Sequence, residues 1–314
     1  MPDTDKLKNR IKEGMLLGTV YDKAMLLLRY NDHKTNFLYR TMVGQKHRMI
    51  YYRRYKKKFL KKCTESRPWE TQDKKFNSDT VWFMWLQGLD NAPEIVKRCY
   101  ESQRKCLPDK KFVLLDEKNV FDYIELPEHI MRKRAEGKIG NAHFSDIVRN
   151  ALLIKHGGYW IDSTVYMTDA NIFPVVDKTP LFMFSFFYFG FNPEIMELNN
   201  WFIHSTTNNN ILCLLQELLF AYWEDYDYAQ NYFIYQILES IANDYYRKEY
   251  REMPVLSQAQ AHVLAHYIYD RFDEQKWEMI KLSSGIHKLS TRFNETWLKK
   301  EGNFYNVIVN KSNN

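Results

Sequence analysis

TVWFMWLQG (residues 80–88) and KFVLLD (residues 111–116) are two apolar segments with the length and composition of buried β-strands. The residues between them, 92–106, predict a helix that Pro93 opens in its first turn. A strand, a helix and a second strand within about 37 residues form a βαβ unit. Such a unit predicts a parallel sheet whose ligands bind at the carboxyl ends of the strands.

Further helices and strands follow this unit along the chain. The sequence predicts helices at 127–138, 143–156, 211–223, 228–243 and 258–269, and strands at 159–166, 181–188 and 303–309. The polar stretch from Glu65 to Ser78 predicts a linker. It divides the chain into a basic helical region (residues 1–65) and a main α/β domain (residues 78–314).

The composition predicts a folded protein with reduced thiols. Hydrophobic residues make up 45% of the 314 residues and aromatic residues 16%, which is enough for a sizeable core. The 4 cysteines form neither a C-x-x-C pair nor a zinc pattern, and neither a G-x-G-x-x-G motif nor a P-loop is present. The first residues lack the order of a signal peptide, and the longest apolar run, 181–191, is too short to span a bilayer. We therefore expect a cytoplasmic protein.

The positive charge is concentrated in one segment. Nine of the Lys and Arg residues lie between Lys46 and Lys62, more than the whole net charge of +6, so the rest of the chain is net negative. If this segment is a helix, its apolar residues form one stripe and most of the cations lie on other faces. The stripe consists of Met49, Tyr52, Tyr55, Phe59 and Leu60. The segment is then either an interfacial helix on anionic lipid or a helix whose stripe packs on the main domain. Nucleic acid is not an expected partner, because no recognition motif or second basic region is present.

Two acidic residues draw attention within the main domain. Asp146 and Arg149 lie three residues apart and so share one face of a helix, where an exposed ion pair would contribute only about 0.3–0.5 kcal/mol. Asp162 would lie in the middle of the buried strand predicted over 159–166. A buried carboxylate is costly unless it is paired or binds a cation. A divalent metal with a nucleotide diphosphate would satisfy Asp162, and so would a buried arginine such as Arg149.

These segments combine into a compound pattern with fixed spacing: SDxxR (145–149), seven residues, and GGYWxD (157–162). The pattern resembles the donor-site signature of glycosyltransferases with a DXD motif. It is most similar to the bacterial capsular polysaccharide synthesis glycosyltransferases, which are related to the initiating mannosyltransferases of yeast and to the glucosylating clostridial toxins. The resemblance also takes in 82–88 and 287–289, and thus covers residues 78–290. It implies a GT-A fold: a single Rossmann-like domain with a mainly parallel central sheet, with helical additions at both ends.

The resemblance also implies roles for individual residues. Asp146 and Arg149 bind hydroxyls of the donor sugar, and the guanidinium fork of Arg149 suits the diphosphate. Asp162 contacts the ribose and a divalent cation, Mn²⁺ or Mg²⁺. His287 is the expected second metal ligand, and Lys288 is the expected countercharge of the diphosphate. The expected donor-binding residues beside the catalytic three are Trp85, Leu86, Gln87, Asp116, Ser145, Ser163, Thr164, His287 and Lys288.

Some of these assignments have ordinary alternatives. Asp116 could cap the helix that follows it, and His287 could be a surface histidine. Asp227 or Asn231 could line an acceptor cleft, but a packed helix explains their segment equally well. His204 is similarly ambiguous.

Thr164 departs from the DXD pattern, because it stands where the second acid is expected. A hydroxyl is a poorer metal ligand than a carboxylate, which weakens the case for strict manganese dependence.

We expect a retaining glycosyltransferase that moves a hexose from a UDP-sugar to a hydroxyl of a lipid-linked capsular or exopolysaccharide saccharide. The basic segment would hold the enzyme on the inner face of the cell membrane. No carboxylate is placed as a covalent nucleophile, which favours a front-face reaction. The alternative is a non-catalytic carbohydrate- or membrane-binding protein on a decayed transferase fold, and Thr164 is its best support.

Overall fold

A five-stranded mixed sheet forms the centre of the computed structural model, which describes residues 8–9, 11–28, 33–72, 78–186 and 198–310. The strands are, in chain order, β1 (Thr80–Met84), β2 (Lys111–Leu115), β3 (Gly158–Ile161), β4 (Val165–Met167), β5 (Leu181–Ser185), β6 (Leu198–Ser205) and β7 (Ile286–Lys288). The central sheet has the order β2-β1-β3-β6-β5, in which β2, β1 and β3 are parallel neighbours and β6 runs antiparallel to β3 and β5. This arrangement confirms the expected α/β fold with a mainly parallel, Rossmann-like sheet.

Helices cover both faces of this sheet. The α-helices of the described residues are α1 (Leu16–Leu28), α2 (His33–Thr64), α3 (Glu94–Cys106), α4 (Glu128–Ala135), α5 (Asn141–His156), α6 (Phe173–Val176), α7 (Asn210–Asp225), α8 (Ile234–Tyr245), α9 (Arg247–Glu252), α10 (Val263–Tyr267), α11 (Glu274–Ser283) and α12 (Glu295–Leu298). Because side chains alternate along a strand, Trp82 and Trp160 face the core shared with α5, α7 and α8, whereas Phe83 faces α3 and α11. The β1-α3-β2 unit confirms the predicted βαβ motif.

The two glycines after α5 fix the start of β3. Gly157 ends the helix with a φ of 64°, and its N–H donates to the carbonyl of Leu153 at 2.9 Å. Gly158 has a φ of 90°, and a Cβ atom there would lie 2.3 Å from the carbonyl oxygen of Thr80 in β1. Only glycine therefore permits β3 to approach β1 closely, and this approach carries Asp162 to the carboxyl edge of the sheet.

The prediction of one continuous strand over 159–166 is wrong. β3 ends at Ile161, the chain turns at residues 162–164, and β4 then pairs with β7 in a separate two-stranded antiparallel sheet. The N–H of Val165 donates to the carbonyl of Asp162 at 3.0 Å, which closes the turn. Gln103 of α3 stabilises it, since its amide donates to the carbonyls of Asp162 and Val165 at 3.2 and 2.8 Å. Asp162 therefore lies at the end of a strand and not in its middle.

The apolar stripe of α2 packs on the main domain. Tyr55 and Phe59 are buried in the principal core, and the ring of Tyr55 contacts that of Tyr222 in α7 with centroids 5.3 Å apart. Lys56 pairs with Asp244 at 3.0 Å. The structure thus favours packing over lipid contact for this stripe. The proposed boundary between residues 1–65 and 78–314 stays a prediction.

Three other local predictions differ from the structure. The helix predicted over 228–243 begins only at Ile234, because residues 226–233 form a loop. The strand predicted over 303–309 is instead a single wide helical turn, Tyr305–Val309. The helix predicted over 258–269 is shortened to the 3₁₀ turn Gln260–His262 and α10. Residues 187–188 of the strand predicted over 181–188 lie outside the described residues. Among the described helices, none is both long and apolar enough to cross a bilayer.

Candidate active site

A cavity of about 310 Å³ opens beside the carboxyl ends of β1 and β3. This volume is sufficient for a small ligand. Seven of the predicted site residues line it: Trp85, Ser145, Asp146, Arg149, Asp162, Ser163 and Thr164. The structure therefore brings together the two halves of the compound pattern, one from α5 and one from the turn after β3.

Arg149 is the central residue of this cluster. Its side chain is only 7% exposed, and its guanidinium lies 3.3 Å from Asp146 and 3.5 Å from Asp162. It also donates to the carbonyl and hydroxyl of Ser145, at 3.3 and 3.1 Å, and to the carbonyl of Asn200. The guanidinium carbon lies 4.8 Å from the centre of a Trp160 ring, a cation–π distance. The planar guanidinium makes these contacts at the same time, and together they hold the side chain in one orientation. The ammonium of a lysine could not make the same set of contacts.

Asp162 is ionised and held from three sides. The indole N–H of Trp160 donates to Oδ1 at 2.9 Å, and Nζ of Lys288 lies 3.2 Å from Oδ2. Burial alone would raise the pKa of Asp162. The charges of Lys288 and Arg149 and the Trp160 hydrogen bond outweigh burial, so the pKa lies below its ordinary value. The carboxylate keeps 23% of its side chain exposed and so remains accessible from the cavity.

Asp146 has partners that the sequence analysis did not identify. The amide of Asn200 in β6 donates to its Oδ1 at 2.8 Å, and Nδ1 of His143 lies 3.6 Å from its Oδ2. Tyr232 from the loop before α8 and Gln236 from the first turn of α8 also line the cavity. His143 lies one helical turn before Asp146 and could have been found from that spacing. Asn200 and Tyr232 arrive from distant segments and carry no local signal.

Lys288 and His287 lie on opposite faces of β7. Lys288 reaches Asp162 and donates to the hydroxyl of Thr164. His287 is fully buried; its Nε2 lies 3.1 Å from the hydroxyl of Thr168, and its ring contacts Trp277. Burial lowers the pKa of His287 to about 4. The structure brings Lys288 to the site but does not bring His287 to Asp162, and it does not leave His287 on the surface.

Of the three residues after β1 that were predicted to bind the donor, one lies at the cavity. Trp85 lines the cavity, whereas Leu86 is buried in the core and Gln87 is exposed. Asp116 at the end of β2 accepts the N–H groups of Lys118 and Asn119, at 2.8 and 3.1 Å. It therefore closes the turn after β2 and does not cap a helix as the alternative expected, because the next helical turn, Val120–Asp122, begins after Asn119 and has no side-chain cap.

The other candidates lie elsewhere. Asp227 pairs with Lys133 and Lys138 at 3.0 and 3.2 Å, away from the cavity. Asn231 accepts the N–H of Phe233 at 2.9 Å, and its neighbour Tyr232 reaches the cavity instead. His204 is buried in β6, where burial and Lys110 lower its pKa to about 4.

Comparison with known proteins relates this chain to a family and to a fungal protein. The sequence model of a family described as capsular polysaccharide synthesis protein matches residues 33–308, a range that includes α2 as well as the α/β domain. A fungal protein of Annulohypoxylon truncatum named O-glycosyltransferase braB is 25% identical over 174 residues. The match spans 51% of this chain and 41% of that relative. The comparison confirms the expected resemblance to the capsular polysaccharide family, whereas the relation to yeast mannosyltransferases and clostridial toxins stays a prediction.

Proposed function

The chain belongs to the capsular polysaccharide synthesis protein family, and from this we infer that it is a glycosyltransferase that uses a nucleotide-sugar donor. The observation that supports this most directly is the convergence of Asp146, Arg149 and Asp162 on one cavity at the carboxyl edge of the sheet. Ligands of open α/β folds bind at this edge. The name of the fungal relative adds support, although the match spans less than half of that protein.

We propose a UDP-hexose as the donor and a GT-A arrangement for the domain. The sugar hydroxyls would contact Asp146 and Arg149, and the ribose would contact Asp162. Trp85 offers a flat surface for the base. Its indole N–H is buried and has no hydrogen-bond partner within the described parts of the chain, so it can donate to a bound nucleotide.

The transfer step breaks the bond between the anomeric carbon and the diphosphate oxygen and forms a bond from that carbon to the acceptor hydroxyl oxygen. Negative charge grows on the departing oxygen, and the guanidinium of Arg149 and the ammonium of Lys288 would stabilise it. In a front-face, retaining reaction the acceptor proton passes to the departing phosphate oxygen. The carboxylate of Asp146 would strengthen its hydrogen bonds to the sugar as the anomeric carbon becomes cationic.

The acceptor that we propose is a hydroxyl of a lipid-linked capsular or exopolysaccharide saccharide. Contact with the membrane would come from surfaces other than the packed stripe of α2. On the outward side of α2, Arg53, Lys57 and Lys61 are exposed and spaced at helical intervals. On α1, an apolar stripe is exposed; its members are Leu17, Val20, Tyr21, Leu27 and Leu28. An exposed cationic stripe and an exposed apolar stripe are the two features that an anionic lipid surface binds.

A donor screen tests the catalytic part of this proposal. We expect wild type to hydrolyse or transfer at least one common nucleotide sugar, and Asp162→Asn and Asp146→Asn to lose roughly 100-fold or more of the rate. Asp227→Asn is the matched control, because this carboxylate lies outside the cavity and should leave the rate unchanged. Turnover by none of the donors would favour the non-catalytic binding protein, and equal rates in wild type and Asp162→Asn would remove Asp162 from the site.

Sedimentation with vesicles tests the membrane part. Wild type should co-sediment with vesicles that contain phosphatidylserine and less so with neutral vesicles. The double substitution Lys57→Glu and Lys61→Glu should abolish the difference between the two vesicle types. Binding that is insensitive to lipid charge would contradict the electrostatic contact.

A further inference from the structure

The turn after β3 does not fit a divalent cation. A metal bound in the DXD manner would lie between the side chains of positions 162 and 164. In the structure the ammonium of Lys288 lies there: Nζ is 3.2 Å from Oδ2 of Asp162 and donates to the hydroxyl of Thr164. The other carboxylate oxygen accepts the indole N–H of Trp160. Both oxygens of the one carboxylate are thus already engaged.

The remaining ligands that a metal would need are also missing from this place. Thr164 supplies a hydroxyl and not a second carboxylate, and His287 faces the opposite side of β7, against Trp277. Within the described residues no group of three or more His, Cys, Asp or Glu side chains is arranged to hold a metal ion. A divalent cation beside Asp162 would also lie within a few ångströms of the guanidinium and the ammonium, which would repel it strongly in a partly buried site.

We propose that Lys288 takes the place of the metal, so that this site binds its donor diphosphate through Lys288 and Arg149 without a divalent cation. This inference rests on the proposed function. The two fixed positive charges match the two negative charges of a sugar-linked diphosphate. Asp162 holds the ammonium in position before the donor arrives, and Thr164 can give up its hydrogen bond to Lys288 at little cost because a hydroxyl is uncharged.

Calorimetric titration of the full chain with UDP, and in parallel with GDP, tests this directly. In wild type we expect the Kd with EDTA to lie within about twofold of the Kd with Mn²⁺, a difference of only about 0.4 kcal/mol. Lys288→Met should weaken nucleotide binding by roughly tenfold or more in both buffers, because a charge-assisted contact to phosphate is lost. Lys281→Met is the matched control. Lys281 pairs with Glu278 on α11, so this variant should bind the nucleotide with the Kd of wild type.

A converse variant provides a second test. Thr164→Asp combined with Lys288→Met removes the ammonium and adds the second carboxylate, so Mn²⁺ should now strengthen nucleotide binding while EDTA should weaken it. Absence of this new metal response would count against Lys288 as the metal's replacement.

The titration of wild type does not depend on whether a variant folds. Its outcomes distinguish a failure of this inference from a failure of the proposed function. Nucleotide binding that appears only with Mn²⁺ would overturn this inference and leave the proposed function intact. Binding of neither UDP nor GDP under any condition would overturn the nucleotide-sugar proposal, and this inference with it.

Discussion

Replacement of Arg149 by methionine should destabilise the protein through the two carboxylates that it leaves behind. The guanidinium lies 3.3 Å from Asp146 and 3.5 Å from Asp162. At an effective dielectric constant of about 20, each such pair attracts by roughly 5 kcal/mol before desolvation is subtracted. Removal of one partner from a buried pair costs about 3–5 kcal/mol. Because Asp162 keeps Lys288 and Trp160 as partners, we expect the lower end, about 3 kcal/mol.

The loss of stability in Arg149→Met should also depend on pH, in a direction that the pKa of Asp162 determines. The pKa of Asp162 lies below its ordinary value in the folded protein, so its stabilisation is present above the unfolded pKa of about 3.9. It disappears as the pH falls through the lower, folded value. The difference between wild type and Arg149→Met should therefore be largest near neutral pH and should shrink as the pH falls through roughly 5 to 3, where Asp162 of the variant takes up a proton.

Urea unfolding, followed by tryptophan fluorescence and far-ultraviolet circular dichroism at several pH values, measures both effects. Arg67→Met is the matched control. Arg67 pairs with Glu70 at 2.8 Å, but its side chain is 38% exposed, so its loss should destabilise the protein far less than the loss of Arg149 does. A loss of stability for Arg149→Met as small as that of the control, or one that is constant with pH, would refute the assignment of Arg149 as the charge partner of two partly buried carboxylates.

Two further predictions concern the sheet and a buried histidine. Gly158→Ala should prevent accumulation of folded protein in a soluble-expression assay, because its Cβ would lie 2.3 Å from the Thr80 carbonyl oxygen. Gly88→Ala is the control: its Cβ meets no atom within 4 Å, so the positive φ alone should lower the free energy of unfolding by about 1–3 kcal/mol. The unfolding free energy should fall as the pH is lowered from about 6.5 to about 4, because the unfolded chain takes up a proton that the buried ring of His287 does not. His287→Gln should reduce that slope in urea titrations, and an unchanged slope would contradict the burial of a neutral ring.

Local sequence patterns were sufficient to predict the β1-α3-β2 unit and the helix α5, which carries Asp146 and Arg149. The β1-α3-β2 unit follows from two apolar segments around an amphipathic helix, and α5 follows from its own periodicity and its terminal glycines. The three-residue spacing of Asp146 and Arg149 on α5 required them to be neighbours, and the structure confirms a contact at 3.3 Å.

The turn after β3 could not be predicted in the same way. Six of the eight residues at 159–166 are β-branched or aromatic, and neither glycine nor proline interrupts them, so the local signal favours a continuous strand in spite of Asp162 and Ser163. The strand breaks because the amide of Gln103 binds the carbonyls of both Asp162 and Val165 from α3. A tertiary contact from 59 residues away in the chain overrides the local propensity.

The electrostatics of the site depend on the register of β4 and β7. Val165 lies opposite Lys288, and Tyr166 lies opposite His287. Because side chains alternate along a strand, a slip of one residue would exchange the two neighbours and turn His287 toward the site in place of Lys288. The N–H of Leu289 donates to the carbonyl of Thr164 at 2.8 Å and so fixes this register at its site-facing end. The sequence alone places a histidine and a lysine side by side, and only the pairing of these two short strands determines that the site receives an ammonium and not an imidazole.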